Sequence, residues 1–489
     1  MNVDLSEYES FCYRGEGRAN YVVSAKHKVT DIRIVWRFSK NKTTGLTNFN
    51  SISKIVYHYM DKLISPLFNE KYLVKCKVVS FAMTDAHLLS KLPALPVNLF
   101  INNIEELRNE DKYPSDIALL KLHFAPHGVT NIFALEMLDA TEIQVNDLYA
   151  NRILQKSCYS PTITFEIKPK QGFYQNHFNK CNIEEEGNSI YFPYCNNCVL
   201  QLEKWKSQAF AKMYDFCPLD LYSGDKIRMD KAIQSLIADP HRNMRIFKDG
   251  IEIHSNEGQV GKEGLEECIG ELSKYLNNET CMSENIKIVD VLVDALSCIL
   301  AGLDTNINSN FSIKPTSIIN QLLVGQKIDK IGLVEGIKLL GQFSLKERST
   351  FDDIYQWTKK DLSSIINSNS SENKLWQYLL AATLKDCSLM ISMKIIDRTT
   401  KDLLSKYTDN IVTIYPNTFQ KPSTPFYFTY SVKVVDLDPK SPKNLINSYA
   451  RFIEGINLLQ MNPSLRIPCL NSLTTKEKLK ENQRKLSND

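Results

Sequence analysis

Apolar and polar positions alternate in several short runs of the chain, and elsewhere the spacing changes to a helical period. Tyr21-Val22-Val23 and residues 32–38 read as strands, the first following a turn at Gly15-Glu16-Gly17. Helical spacing covers about 48–67, and 131–138 reads as a further strand, apolar over most of its length but carrying Glu136. Strand, glycine turn, strand, helix, strand is the order of a nucleotide-binding small lobe. Residues 162–167 alternate again and stop at Pro169. Helical spacing dominates 197–238, with a break at Cys217-Pro218, and 265–384, where 367–371 marks a linker or surface loop. Two strands follow, Ser388–Ile396 and Phe426–Val435, rich in β-branched, aromatic and other apolar residues. If they pair antiparallel, the start of the first lies beside the end of the second. Asp386 and Asp436 then meet at one end of a sheet.

The chain has 489 residues, too many for one compact core, and suits two or three structural units. A hydrophobic content of 43% and a charged content of 24% are ordinary for a folded soluble protein. A net charge of +3 does not exclude a polyanionic ligand, which needs only its cations gathered in one cleft. Twelve cysteines are spread over the whole length, and the start of the chain has no apolar leader segment. A reducing compartment is expected, cytoplasm or nucleus, with thiols buried, free or metal-bound. The most apolar stretch, 288–303, carries Asp290 and Asp294 one turn apart and ends near Gly302. It reads as a packed amphipathic helix, not a membrane span. The segment 476–489 is polar and is expected to be a disordered tail. There is no internal repeat and no RNA-binding aromatic motif, so neither membrane nor nucleic acid is an expected partner.

Phosphoryl transfer needs a cradle for nucleotide phosphates, a carboxylate for magnesium, a base or orienting group at the attacking hydroxyl, and positive charge around the transferred group. The sequence offers a candidate for each. Gly15-Glu16-Gly17-Arg18-Ala19-Asn20 lets backbone N–H groups approach a phosphate, although taken alone it reads first as a tight hairpin turn. Glu166-Ile167-Lys168-Pro169-Lys170-Gln171-Gly172-Phe173 places Lys168 and Lys170 on one face of an extended segment, which suits a phosphate-rich ligand; the bland alternative is a solvated strand end. Lys385-Asp386-Cys387-Ser388 and Asp436-Leu437-Asp438 put carboxylates at two strand ends. Cys195-x-x-Cys198 has the spacing of a zinc half-site, and the nearby His177 and Cys181 could complete a three-cysteine, one-histidine set; two buried free thiols are the alternative. His123 and His127 are separated by Pro126 and read as surface or packing residues, while Trp36 and Trp205 read as core.

GEGRAN, EIKPKQGF, CPLDLYSGDKIRM, KDCSLMI and DLD, in this order, resemble the inositol-pentakisphosphate 2-kinase family over about 13–449. The resemblance implies an α+β, two-lobe inositol phosphate kinase fold: a kinase-like N-lobe over 1–141 and a larger C-lobe over 142–475 with a helical inositol phosphate-binding region. It implies ATP and Mg²⁺ as cofactors, and inositol pentakisphosphate as the partner, phosphorylated on its 2-hydroxyl to the hexakisphosphate. A monomer is expected. On this resemblance Gly15, Gly17, Ala19 and Asn20 cover ATP, Arg37 contacts its phosphates, and Glu136 and Met137 offer backbone to adenine. Lys168 sits by the transferred phosphate, Asp386 is the catalytic carboxylate, Asp436 binds magnesium and Asp438 assists. Lys170, Lys204, Asn243, Arg245 and Lys440 hold the inositol phosphate. Animal members carry a zinc site near the cysteine pair, which here would be structural, clamping the loop after EIKPK and positioning Lys204.

Four positions depart from the family pattern: Arg242 stands where an asparagine is usual. Asn196 and Asn444 stand where an arginine is usual, and Leu200 stands where a histidine is usual. Substrate contacts are therefore partly rewritten. That leaves room for an inositol phosphate kinase of altered or broader substrate range, or for a non-catalytic inositol phosphate- or RNA-binding scaffold.

Overall fold

The alternating runs become two antiparallel sheets. The computed structural model describes residues 2–16, 20–39, 52–95, 99–108, 131–143, 150, 153–154, 160–175, 193–209, 213–255, 262–279, 287–307, 311–416 and 425–469. Gly17, Ala19, His123, His127, His177, Cys181 and the segment 476–489 lie outside these residues.

The first sheet has five strands in the order β1-β2-β3-β5-β4, formed by β1 (Tyr8–Glu16), β2 (Asn20–His27), β3 (Arg33–Ser39), β4 (Cys76–Ala82) and β5 (Asn131–Leu138). Its buried face joins Phe11, Tyr21, Val23, Trp36, Phe38 and Phe81 into one cluster. Trp36 is fully buried, as its apolar setting in the sequence suggests. The second sheet has six strands in the order β10-β11-β9-β6-β7-β8: β6 (Ile163–Ile167), β7 (Met244–Lys248), β8 (Ile251–His254), β9 (Ser388–Ile396), β10 (Ile411–Ile414) and β11 (Phe426–Val435).

Helices pack around the two sheets, the first of them against β3, β4 and β5. They include α1 (Ile52–Tyr59), α2 (Asn196–Lys206), α3 (Lys226–Ala238), α4 (Ile288–Ala301), α5 (Gly332–Gln342), α6 (Ser371–Leu384) and α7 (Pro442–Met461). The apolar stretch at 288–303 is the buried helix α4, capped by Gly302 in the left-handed conformation. No helix among the described residues is long and apolar enough to cross a membrane. Trp205 departs from expectation: it lies toward the end of α2 on the outer side and is 38% exposed.

The expected boundary at 141 is not a boundary of packing. Tyr59, Leu63, Ile64, Phe68 and Tyr72 join the larger core with α4 and α6, not the first sheet. The Tyr59 hydroxyl lies 2.9 Å from Thr383 Oγ1, on α6.

The segment leaving β5 is fixed to the larger sheet by hydroxyls from three of its strands. Ser392 donates to the Ala140 carbonyl at 2.8 Å, Thr164 to Thr141 at 2.9 Å and Ser431 to Glu142 at 3.5 Å. Asp139 begins this segment and is buried against Arg14, which reaches it through Nε at 3.1 Å and Nη2 at 2.6 Å and also donates to the Gly250 carbonyl. Burial pushes the Asp139 carboxyl up, but Arg14 and the Thr141 hydrogen bonds outweigh it and hold it below the ordinary carboxylate value. This pair binds β1, the connecting segment and the β7–β8 turn together. Asp139→Ala leaves Arg14 without its carboxylate and should lower stability by about 3–5 kcal/mol in a urea unfolding series.

Candidate active site

β9 and β11 pair in unbroken register from Ile396–Tyr427 to Ser388–Val435. This brings together the two carboxylates expected from the strand ends. Asp436 follows β11 directly, with a left-handed backbone (φ 61°). Such a conformation costs a non-glycine residue about 1–3 kcal/mol and holds only where neighbours fix it. Ser388 Oγ, at the start of β9, stands 2.8 Å from Glu166 Oε1 and 3.3 Å from Asp436 Oδ2 and shares its proton between them. Burial pushes the Glu166 carboxyl up; Arg245 opposes this and Asp436 adds to it.

The lysines of the EIKPK segment part company. An extended backbone would put Lys168 and Lys170 on one face, but Lys170 is left-handed (φ 60°). Lys168 Nζ lies 3.8 Å from Asp436 Oδ2, whereas Lys170 Nζ lies 3.1 Å from Asp386 Oδ1. Lys440 Nζ meets the other oxygen of Asp386 at 2.8 Å. Burial raises the Asp386 carboxyl, yet Lys170 and Lys440 outweigh it and hold the group well below the usual carboxylate range.

Gln326, fully buried, fixes the strained turn. Its Nε2 donates to the Lys170 carbonyl at 2.8 Å and to the Leu384 carbonyl at 3.0 Å, and its Oε1 accepts from Gly172 N at 2.8 Å. The Tyr222 hydroxyl adds a bond to the Lys170 carbonyl at 2.9 Å. A Cβ on Gly172 would fall 2.4 Å from the Tyr222 ring, so only glycine fits there.

On the side of the first sheet, Arg37 from β3 is paired with Asp438, and Asn20 Nδ2 donates to the same carboxylate oxygen at 3.0 Å. Gly15 on β1 pairs with Val22 of β2, which pairs in turn with Arg37. Glu136 and Met137, the expected adenine contacts, lie inside the first sheet. Both residues are paired on each side, with β3 and with β4, so their backbone is engaged in the ladder. The Glu136 carboxylate accepts from Trp36 Nε1 at 3.0 Å and from Lys77 at 2.8 Å.

Beside Asp386 opens a polar cavity of about 190 Å³. Lys170, Lys204 and Asn243 line it as expected, together with Asn196, Leu200 and Asn444, three of the positions that depart from the family pattern. Asn243 Nδ2 donates to the Tyr214 hydroxyl at 3.2 Å, and its carbonyl accepts from Lys168 N at 2.8 Å. Burial first, and then Lys170 and Arg451, lower the Lys204 ammonium to about 8. Arg245 is not brought to this wall. It sits on β7 across from Glu166, 4.0 Å from Glu252. Lys385 and Arg451 line the cavity without having been singled out in the sequence. Lys385 is held by the buried Asp329 at 2.7 Å and lies over the Phe173 ring.

Cys195 and Cys198 meet Cys217 and Cys469, with all four sulfurs within 4.8 Å of one another. His177 and Cys181 lie outside the described residues, and the two further sulfurs come instead from the break before Pro218 and from beyond α7. The closest pairs are 3.6, 3.7 and 3.8 Å apart. A tetrahedral zinc with bonds of about 2.3 Å requires sulfur–sulfur edges of about 3.7 Å. The Cys195 amide donates to Cys469 Sγ at 3.2 Å and Arg466 Nη2 to Cys198 Sγ at 3.4 Å, both suited to thiolates. These four residues could hold a Zn²⁺ ion, and the pair 195/198 stands at the start of the helix that carries Lys204.

The model of the inositol-pentakisphosphate 2-kinase family matches residues 13–451. The inositol-pentakisphosphate 2-kinase of Danio rerio is 24% identical, with 92% of each chain covered. That of Oryza sativa subsp. indica is 26% identical over 81% of this chain and 83% of its own. A segment of 115 residues is 32% identical to the Drosophila melanogaster enzyme of the same name, over 19% of this chain and 18% of that one.

The low proton affinity of Lys204 has a direct readout. Below about pH 8 the group is charged and above it neutral, so an anion in the cavity loses one cationic partner as pH rises. Tripolyphosphate affinity, measured by calorimetry, should fall between pH 7 and 9, and Lys204→Arg, which keeps its charge, should flatten that limb.

Proposed function

This chain belongs to the inositol-pentakisphosphate 2-kinase family, and from that premise we propose that it transfers the γ-phosphoryl group of ATP to the 2-hydroxyl of inositol 1,3,4,5,6-pentakisphosphate, giving the hexakisphosphate. The observation that carries the reading is Asp386 held ionised between Lys170 and Lys440 at the edge of a cation-lined cavity. The fold is read as two lobes, a kinase-like one built on the first sheet and a larger one that supplies the substrate cavity, with ATP between them.

In this reading the accepting hydroxyl donates a hydrogen bond to Asp386, which aligns it for in-line attack. A carboxylate held so far below its usual range is a weak base. It suits a loose transition state, in which the hydroxyl keeps its proton until the phosphorus–oxygen bond is well advanced. Lys170 and Lys440 then turn part of their charge from Asp386 to the substrate phosphates. Lys168 and Arg37 flank the transferred group and neutralise its equatorial oxygens. Asp436 and Asp438 are hard oxygen donors of the kind Mg²⁺ takes, and they are the residues that would hold it. The ion would supply charge neutralisation on the β- and γ-phosphates. Asn20 and Arg37, bonded to Asp438, would position that carboxylate.

The rewritten cavity positions Asn196, Leu200 and Asn444 support a second reading, in which the same chemistry acts on a wider set of inositol phosphates. The four-cysteine cluster is read as a structural zinc site, and the thiol-rich chain as a protein of the cytoplasm or nucleus.

Purified protein incubated with Mg-ATP and the pentakisphosphate should give hexakisphosphate on anion exchange, and Asp386→Ala should slow it by about 10²- to 10⁴-fold. Conversion of other inositol phosphates as well would favour the wider range, and conversion of those alone would mean a changed substrate. Binding without any turnover would favour a scaffold. Elemental analysis should find about one zinc per chain, and Cys469→Ser should remove it and lower the unfolding temperature; a metal-free wild type that folds normally would sink the zinc reading.

A further inference from the structure

Segment 463–469 lies beyond residues 13–451, which the family model matches, yet it takes part in supporting the site. Cys469 supplies one sulfur of the four-cysteine cluster. Arg466, on the same segment, turns to that cluster as well. Its Nη2 donates to Cys198 Sγ at 3.4 Å and to the Phe216 carbonyl at 2.5 Å, and its Nη1 donates to the Tyr214 carbonyl. One planar fork therefore joins a sulfur of the cluster to the backbone just before Cys217, itself a member of the cluster.

Tyr214 is buried and carries the link onward. Its N–H donates to Gln201 Oε1 at 3.2 Å, and its hydroxyl donates to the Pro240 carbonyl at 2.8 Å. The same hydroxyl accepts from Asn243 Nδ2 at 3.2 Å. Its ring packs on that of the buried His241, with centroids 4.4 Å apart. The turn it braces is strained, because His241 and Arg242 are successive left-handed residues (φ 47° and 60°). Asn243 follows that turn, lines the cavity, and accepts from Lys168 N on its carbonyl at 2.8 Å. Contacts thus run unbroken from Cys198 through Arg466 and Tyr214 to Asn243.

Four thiolates around Zn²⁺ would leave a net charge of about −2 at the cluster. That charge would hold Arg466 in place, and a metal-bound Cys469 would anchor the segment that carries it. Without metal both restraints on Arg466 weaken, and with them its grip on the backbone at Tyr214. We propose that Arg466 and Tyr214 couple the cysteine cluster to the cavity, so that zinc and the anionic substrate bind cooperatively, each tightening the other. Both act as positioning residues, through Asn243. The coupling rests on the zinc reading of the cluster, and it gives that metal an effect on substrate binding beyond holding the chain together.

Calorimetry with inositol 1,3,4,5,6-pentakisphosphate tests it, on zinc-loaded and metal-free protein without ATP. Zinc should tighten the anion about 5- to 20-fold, and by linkage the anion should raise zinc affinity, measured against a chelating indicator, by the same factor. Tyr214→Phe keeps the ring and the backbone and loses the hydroxyl. It should retain its zinc, bind the anion about 3- to 10-fold more weakly when zinc-loaded, and reduce the coupling below about twofold. It also serves as the control for the anion's own hold on zinc. Arg466→Lys keeps a charge beside the thiolates but not the fork, so zinc affinity should stay within about threefold while the coupling is lost. Ile467→Ala, at an exposed position next to Arg466, should change none of these by more than about twofold. Equal anion affinity with and without zinc would overturn the coupling. So would a coupling that survives both substitutions, which would place it in α2 alone. If the metal-free protein unfolds, wild-type anion affinity in zinc-loaded Tyr214→Phe overturns it. A wild type that holds no zinc overturns the zinc reading and the coupling together. Coupling in a protein that never phosphorylates the pentakisphosphate would keep this link and overturn the reaction.

Discussion

The pairing of β9 with β11 is the constraint on which the site depends. Side chains in a sheet alternate with a period of two, so a slip of one residue would turn the inward-facing residues of the slipped strand to the other face. Leu389, Ile391 and Met393 on one strand and Phe428, Val432 and Val434 on the other are buried, which makes such a slip costly. Register is thus set by burial. Once it is set, Asp386 and Asp436 have no freedom to be elsewhere, although 50 residues separate them in the sequence (436 − 386). Glu166 on β6 and Asp436 then converge on the one hydroxyl of Ser388.

Around that frame the functional groups are held by backbone strain and its compensation. Lys170 and Asp436 both occupy the left-handed region. For Lys170 the compensating bonds are visible: Gln326 and Tyr222 both donate to its carbonyl, and Gln326 also reaches the Leu384 carbonyl next to the KDCS segment. One buried amide therefore fixes the spacing between the lysine loop and Asp386. The first sheet is tied in by different means, through Arg14 and Asp139, the hydroxyls on 140–142, and Arg37 and Asn20 on Asp438. These polar links are short-ranged and geometrically specific, in contrast to the broad apolar packing of the larger core.

Much of this was legible in the sequence because it is local. Strand limits at 131–138, 388–396 and 426–435 follow from apolar runs ended by turn residues, and the structure has the same limits. The meeting of Asp386 and Asp436 followed from those limits plus the assumption of antiparallel pairing. What was hidden depended on long-range choices. Cys217 and Cys469 join Cys195 and Cys198 only because the chain beyond α7 returns to α2, whereas spacing alone favoured His177 and Cys181 close upstream. Gln326 looks like an ordinary helix residue until its partners are known. Glu136 and Met137 stand inside the sheet because β5 is interior, a fact of strand order that no local pattern carries. Arg451 did leave a signal: it falls seven positions after Asn444, on the same face of a helix with a strong apolar stripe.

The position of Cys469 bears on how the protein is made. Its sulfur meets Cys198, which precedes it by 271 residues. At a synthesis rate of about 5–20 residues per second, the ribosome adds that stretch in roughly 15–50 s. Throughout that interval the emerging chain holds three thiols close in sequence and lacks the fourth. Cys198 meets the cell's oxidants and loose metal ions before Cys469 and Arg466, which in the folded protein favour its thiolate, exist. The wall of the cavity that carries Lys204 is therefore among the last parts of the molecule to be secured, and the nascent protein passes through a stage at which its chemistry is set by the redox state and metal supply around the ribosome.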